Sequence, residues 1–448
     1  MLAPRKLVAA TCAVAFVLLG GSARPAFADG HNHAGSGLPA ASVLDWNAIA
    51  VATVRGAAAP VKAQVEGIIY MSYVQGAVYD AVTKIEGRYA PYHDFAAPVD
   101  PAGASPDAAV AAAAYTTLAY YFSPQAAALT TTYNAYVAAL PLAGKADGVA
   151  IGIAAANDMI AFRAGDGRGA TITTPYGQGP LAPGLWVFAP PPSAQSAQTP
   201  WVAFMRPFML DSATQFRADP PPSLSSNEWV KELNEVQAYG SATSTVRSDE
   251  QTKIAQFWNA NAISQSNQTL HDIATQHGFD LVDSARAFAM GNLTDADSGI
   301  ACFDSKYHYL FWRPVTAIRN AGIDGNDATV ADPAWTPLLV TPNHPEYPAA
   351  HGCLTASESE VYAELLGTHD IQVDIQGAVG DNKTTLTTTR HYATVEELQK
   401  EIVNARVWAG LHYRGSTEAG VALGRDVARW SLKRYFRPLH GGDDGGDG

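Results

Sequence analysis

The chain has 448 residues, 47% of them hydrophobic, which is enough for a large core or two packed subdomains. Its formal net charge of −13, from 29 Lys and Arg against 42 Asp and Glu, argues against nucleic acid or an anionic membrane surface as a partner. Beyond the N-terminal segment there is no run of about twenty apolar residues, which argues against an integral membrane protein.

Arg5 and Lys6 precede an apolar run from Leu7 to Leu19, and Ala26-Phe27-Ala28 has the small-x-small form of a leader-peptidase site. Residues 1–28 therefore read as a signal peptide cleaved near Ala28, and the mature protein as exported, periplasmic or extracellular. Apolar residues then recur at helical spacing over 43–82, 107–121, 124–140 and 146–164. Residues 165–226 interrupt this pattern with Ala189-Pro-Pro-Pro192-Ser193 and Pro220-Pro-Pro222-Ser223, a loop-rich connection suited to framing a site entrance. Helices are expected again at 249–275, 280–296, 304–319, 351–366, 394–412 and 416–435, with Ser248-x-x-Gln251 and Thr394-x-x-Glu397 in capping-box form. Residues 384–389 read as a short strand or a loop, and the Gly/Asp run 441–448 as a flexible tail. The fold class is all-α.

Three segments of the last third carry the chemistry: Lys306 with Arg313-Pro314, then Tyr347-Pro348-Ala349-Ala350-His351-Gly352, then Ala405-Arg406 with His412. Three cations and two imidazoles are what is needed to hold a tetrahedral oxyanion and move protons beside it. Lys306 and Arg313 are seven apart, so in one helix both would leave the same face. Arg406 and His412 are six apart, roughly 120° around a helix, a gap that the long guanidinium arm can bridge. Pro348 to Gly352 reads as a turn opening a helix, whose free N–H groups, that of Ala350 among them, are themselves an anion site. Singly, Lys306 and Arg313 would more often be a solvated helix face, His351 a structural histidine and Arg406 a surface ion pair; their joint occurrence in order reverses those odds.

This constellation resembles the superfamily of vanadium-dependent haloperoxidases and type 2 phosphatidic-acid phosphatases, whose pattern is Lys-x6-Arg-Pro, Pro-Ser-Gly-His and Ser-Arg-x5-His-x3-Asp. The stretch from Lys306 through Trp312-Arg313-Pro314 to Arg319 is similar to bacterial haloperoxidase-like members. The resemblance implies two packed helical bundles, an N-terminal one with its connection over 29–225 and a C-terminal one over 226–440 holding the oxyanion site. It implies that Lys306, Arg313, Arg406 and the Ala350 N–H bind vanadate, with phosphate as a competing occupant and no haem or flavin. His412 would be the axial ligand to vanadium, or the nucleophile of a phosphatase, and His351 the general acid-base. The implied substrates are hydrogen peroxide, a halide and in some cases a small organic acceptor. His344 falls where bromide-oxidising members carry His and chloride-oxidising members Phe, so it and Trp312 are expected in the halide and peroxide environment, His344 favouring bromide or iodide. The other reading of His344 is a partly exposed loop residue. A soluble acid phosphatase and a non-catalytic oxyanion-binding protein remain as alternative functions.

Four residues depart from the pattern: Ala349 for Ser, Ala350 for Gly, Ala405 for Ser, and Ser416 for the Asp four residues after His412. The first removes a hydroxyl donor to the oxyanion, and the last removes the partner that fixes the axial imidazole. Cys302 and Cys353 flank the motifs, and export to an oxidising compartment would permit a disulfide between them, with two buried thiols as the alternative. His308 and His391 have no motif partner, and His31 and His33 lie in a Gly-rich stretch just after the leader.

Overall fold

Capping side chains, prolines and positive-φ glycines divide the chain into thirteen α-helices among the described residues, which in this computed structural model are 37–57, 64–189, 196–378 and 385–439. The leader expected at 1–28, the tail at 441–448 and the run Pro190 to Pro192 lie outside them. The first group is α1 (Ala41–Gly56), α2 (Gln64–Glu86), α3 (Pro106–Tyr121), α4 (Ala126–Ala139) and α5 (Lys145–Phe162). Helix α3 starts where Ser105 accepts from the Ala108 N–H and Pro106 takes the first turn, a position that needs no donor. It packs on α5 almost backbone to backbone, because a Cβ at Gly148 or Gly152 would lie 2.2 or 2.3 Å from the carbonyls of Ser105 and Ala109.

The second group is α6 (Asn227–Gly240), α7 (Asp249–Phe257), α8 (Ala262–Gln276), α9 (Leu281–Tyr309), α10 (Pro314–Arg319), α11 (Ala350–Leu366), α12 (Val395–Trp408) and α13 (Arg414–Arg434). The single helix expected over 249–275 is two, because Asn261 caps a fresh start by accepting from the Ser264 N–H. The break expected between 296 and 304 is absent. Asp297, Ser298 and Gly299 interrupt the apolar period but are buried, with Ser298 donating to the Cys353 carbonyl at 3.0 Å, so tertiary partners carry α9 through them. The Ser248–Gln251 capping box forms in full, whereas Glu397 reaches back to the Ala393 N–H rather than to that of Thr394. A two-stranded antiparallel sheet pairs β1 (Val373–Gly377) with β2 (Thr388–Tyr392), Val373 opposite Tyr392, so the strand near 384–389 begins later than expected.

The described residues cluster as one compact unit, and α9 is its axis: α2 packs on it from the first group, α11 and α13 from the second. The connection between Arg163 and Ser226 is mostly irregular but firmly bound. The Asp297 carboxylate accepts the N–H groups of Phe208, Met209 and Leu210 at 2.6, 2.7 and 3.0 Å, and Arg217 makes a two-bond fork to Asp304 at 2.7 and 2.8 Å. Helices α11 and α13 touch along Gly352, Gly420 and Gly424, where added Cβ atoms would lie 2.5, 2.6 and 2.1 Å from opposing carbonyls. That contact places the start of α11 beside the start of α13. Among the described residues no helix is long and apolar enough to cross a membrane.

Candidate oxyanion site

Each cation reaches the site from the end of an element. Lys306 lies in the last turn of α9, which stops at Leu310 with φ +50°. Arg313 is extended (φ −77°, ψ 152°) at the N-cap of α10, with Pro314 opening that helix. Lys306 and Arg313 therefore do not share a helix face as expected: the residue before a proline is pushed out of the α region, so Arg313 starts a new helix instead of ending the old one. The same correction applies to Arg406 and His412. Helix α12 ends at Trp408, Gly410 turns the chain at φ +75°, and His412 sits in the link to α13. Ala349 is the N-cap of α11 and offers no side-chain cap, so the first N–H groups of that helix, Ala350 included, have no hydroxyl over them.

The cations converge without matching acids. Lys306, Arg313 and Arg406 are all buried, and among the described residues none has a carboxylate within ion-pairing distance. Arg313 donates to the carbonyls of His344 and Leu411, each at 3.0 Å, and to His412 Nε2 at 3.1 Å. Arg406 has one long bond, to the Trp258 carbonyl at 3.3 Å, and its Nε has no partner. Lys306 gives its ammonium protons to the carbonyls of Pro345, Glu346 and Pro348, so it fixes the loop before α11 as well as charging the cavity. Burial pulls all three down, Lys306 to about 8, Arg313 to about 10 and Arg406 to about 9, the neighbouring Arg313 adding to the effect on Lys306 and Arg406. Burial and then Arg313 and Lys306 hold His412 and His344 well below the usual histidine range, so both imidazoles are neutral near pH 7.

His344 is in the site and not a partly exposed loop residue: it is buried, tilted against Phe303, with Nδ1 3.0 Å from Arg313 Nη2. His351 is half-buried in the first turn of α11, near enough to His344 to add to the lowering of its pKa. Trp312 belongs to an aromatic cluster: its ring stacks on Trp229 at 5.8 Å and its carbonyl accepts from Tyr413, while its indole N–H has no partner. Cys302 and Cys353 do lie together, but as free buried thiols sharing a hydrogen bond rather than as a disulfide.

One residue of the site escaped the sequence reading. Glu346 is fully buried, and its Oε1 accepts from His412 Nδ1 at 2.8 Å and from the Tyr413 N–H at 3.1 Å. Burial pushes its carboxyl up to about 7 against the opposing pull of Lys306 and Arg313. No motif marks it: Glu346 lies 66 residues before His412, and the loss of the pattern's Asp at 416 shows only that a partner is missing, not where its substitute lies.

Residues 286–441 match the model of the VCPO second helical-bundle domain. This third of the chain is similar to the second helical bundle of the vanadium haloperoxidases. The whole chain has the corresponding all-α fold. It superposes on the first bacterial vanadium-dependent iodoperoxidase with a TM-score of 0.72 and 22% identity, covering 90% of this chain and 97% of that one. Against the holo form of a bacterial vanadium-dependent chloroperoxidase the TM-score is 0.65 at 15% identity, covering 83% of this chain and 92% of that one. A search of curated protein sequences found no significant match.

The residues present fit the vanadate of the haloperoxidases. An unpaired guanidinium nitrogen on Arg406, an uncapped helix start at Ala350 and an imidazole nitrogen facing Arg313 are donors and a lone pair suited to an oxyanion with one axial nitrogen. Among the described residues no three His, Cys, Asp or Glu side chains converge as a divalent-metal site would require. The uncapped start also makes a prediction. Restoring the family hydroxyl with Ala349→Ser is expected to raise stability by about 1 kcal/mol, the ordinary worth of an N-cap, measured by urea unfolding without oxyanion. An unchanged midpoint would mean that the hydroxyl at 349 cannot reach the N–H groups of the first turn.

The Lys306 and Glu346 values give a pH dependence. Lys306 attracts an anion only when protonated, and the Glu346 carboxyl repels one when ionised, so affinity for sulfate, whose charge is constant over this range, is expected to be highest near pH 6 and to fall as Glu346 ionises near 7. Above about pH 8 it should fall further, by up to about tenfold per pH unit, as Lys306 loses its proton. Calorimetric titration from pH 6 to 10 checks this; affinity that rose with pH would contradict the sign. A bound anion raises the pKa of both Glu346 and Lys306, so the fall begins later at high occupancy.

Proposed function

We propose that the protein is an exported vanadate-dependent haloperoxidase that oxidises bromide or iodide with hydrogen peroxide. The observation that carries this reading is the burial of Lys306, Arg313 and Arg406 close enough to His412 for all three to depress its pKa, without a matching set of acids. Burying unpaired cations costs several kcal/mol each, a cost that an oxyanion bound among them offsets. When bound, vanadate would supply Lewis-acid activation of peroxide for oxygen transfer to halide.

The side chains of the chain itself have distinct parts in this. Arg406, with its unpaired Nε, and the Ala350 N–H at the helix start would be hydrogen-bond donors to the oxyanion, and Arg313 would add charge beside His412. Lys306 contributes charge while holding the 345–348 loop in place. His412, held well below the usual histidine range, would hold the vanadate through its Nε2 lone pair, and the half-buried His351 would serve as the proton acceptor and donor beside it. His344 on Arg313 is the residue we assign to halide preference, a neutral imidazole that favours the more polarisable bromide or iodide. Export rests on the leader form of residues 1–28, which lie outside the described structure.

The test is peroxide-dependent bromide and iodide oxidation by metal-stripped mature protein titrated with orthovanadate, beside hydrolysis of an aryl phosphate. Activity that rises and saturates with vanadate supports the proposal. Phosphate-ester hydrolysis without halide oxidation would replace it by the phosphatase reading, and silence in both with vanadate still bound would leave a binding protein.

A further inference from the structure

We propose that Glu346 is the positioning residue of His412: it fixes the imidazole as the Nδ1–H tautomer and so presents the Nε2 lone pair to the oxyanion. The 2.8 Å contact between Glu346 Oε1 and His412 Nδ1 is the hydrogen bond that the Nδ1–H tautomer donates, and the same Oε1 also accepts the Tyr413 N–H at 3.1 Å. The other nitrogen is read independently. Arg313 Nη1, which can only donate, lies 3.1 Å from His412 Nε2, so Nε2 is an acceptor. Arg313 on one side of the ring and Glu346 on the other thus specify one tautomer, and the Nε2 lone pair that accepts from Arg313 is the one an oxyanion would take over.

Glu346 is held rigidly enough for this. The same Oε1 accepts the Tyr413 N–H, its own carbonyl accepts from Lys306, and its N–H donates to the Phe311 carbonyl at 2.9 Å. The loop before α11, the link before α13 and the link after α9 are therefore tied through one residue. The Ser416 hydroxyl lies beside the same buried carboxyl and helps to lower its pKa. A carboxylate carried by residue 416 would stand on the same side of His412, so the role can be moved from one element to the other. In the pattern that the sequence resembles the carboxylate is at 416; here it comes from the loop, and Ser416 leaves room for it.

The inference rests on the oxyanion reading of the site, and its test separates the two. His412 is observed by 15N NMR of histidine-labelled mature protein, wild type against Glu346→Gln and Glu346→Ala, and orthovanadate affinity is measured by 51V NMR on the same samples. The wild type is expected to show protonated Nδ1 and unprotonated Nε2. Glu346→Ala should mix the tautomers and weaken vanadate binding by roughly 10–100-fold, the usual loss when the partner of a ligating histidine is removed. The near-isosteric Glu346→Gln guards against a folding artefact and should weaken binding by less, because its amide oxygen still accepts from Nδ1. Glu346→Ala combined with Ser416→Asp should restore both the spectrum and most of the affinity. Unchanged tautomer and affinity in Glu346→Ala would overturn the inference. A wild type that binds no vanadate would instead overturn the functional reading, and the tautomer spectrum, which needs no oxyanion, would still decide the role of Glu346.

Discussion

Arg406→Met is expected to weaken oxyanion binding by roughly 100-fold or more and, with no oxyanion present, to make the protein more stable. The two effects have one cause. Arg406 is a fully buried guanidinium with a single long bond, to the Trp258 carbonyl, and an unpaired Nε. Burial has pulled its pKa to about 9, with Arg313 adding to the strain. Methionine fills much of the same volume without the charge. Replacing a buried, poorly paired ion by an apolar side chain of similar size typically stabilises by about 1–4 kcal/mol, whereas removing one partner of a desolvated charge pair costs about 2–5 kcal/mol of binding. Urea unfolding with and without saturating sulfate reads both signs at once. A variant that is destabilised yet binds sulfate normally would show that Arg406 serves the backbone at Trp258, and the anion reading would lose its main support.

The chemistry-bearing residues were legible because charge and order survive any local rearrangement: Lys306, Arg313, His344, Arg406 and His412 do converge. What sequence periodicity misjudged was how they converge. Counting residues per turn placed Lys306 and Arg313 on one helix and Arg406 and His412 on another, yet Leu310 and Gly410 take positive φ and end both helices first. Helix ends suit such a site better than helix faces, since they combine several chain directions around one point. Helix α9 was misread for the opposite reason: its buried Asp297, Ser298 and Gly299 look like a break until their tertiary partners are known. Glu346 was invisible to motif reading because it replaces a residue from another segment, and only distance in space relates it to His412.

The contact that brings the starts of α11 and α13 together yields the second large effect. Gly424→Ala is expected to cost about 2–3 kcal/mol of stability and to loosen oxyanion binding as well. In an isolated helix the change would be favourable by about 1 kcal/mol, because Ala is the better helix former. Here the new Cβ would stand 2.1 Å from the Cys353 carbonyl oxygen and 3.1 Å from the Ala356 Cβ, and neither is the yielding end of a flexible side chain. The helices must therefore part, and the displacement carries to the hydrogen bond from the Ala349 N–H to the Ser416 carbonyl, now 3.0 Å, which joins the two starts beside His412. Gly322→Ala is the control: nothing lies within 4 Å of its added Cβ, so its effect should stay within about 0.5 kcal/mol. If chemical denaturation finds Gly424→Ala as harmless as Gly322→Ala, close approach of α11 and α13 does not set the geometry of the site, and the cations must be held by their own loops alone.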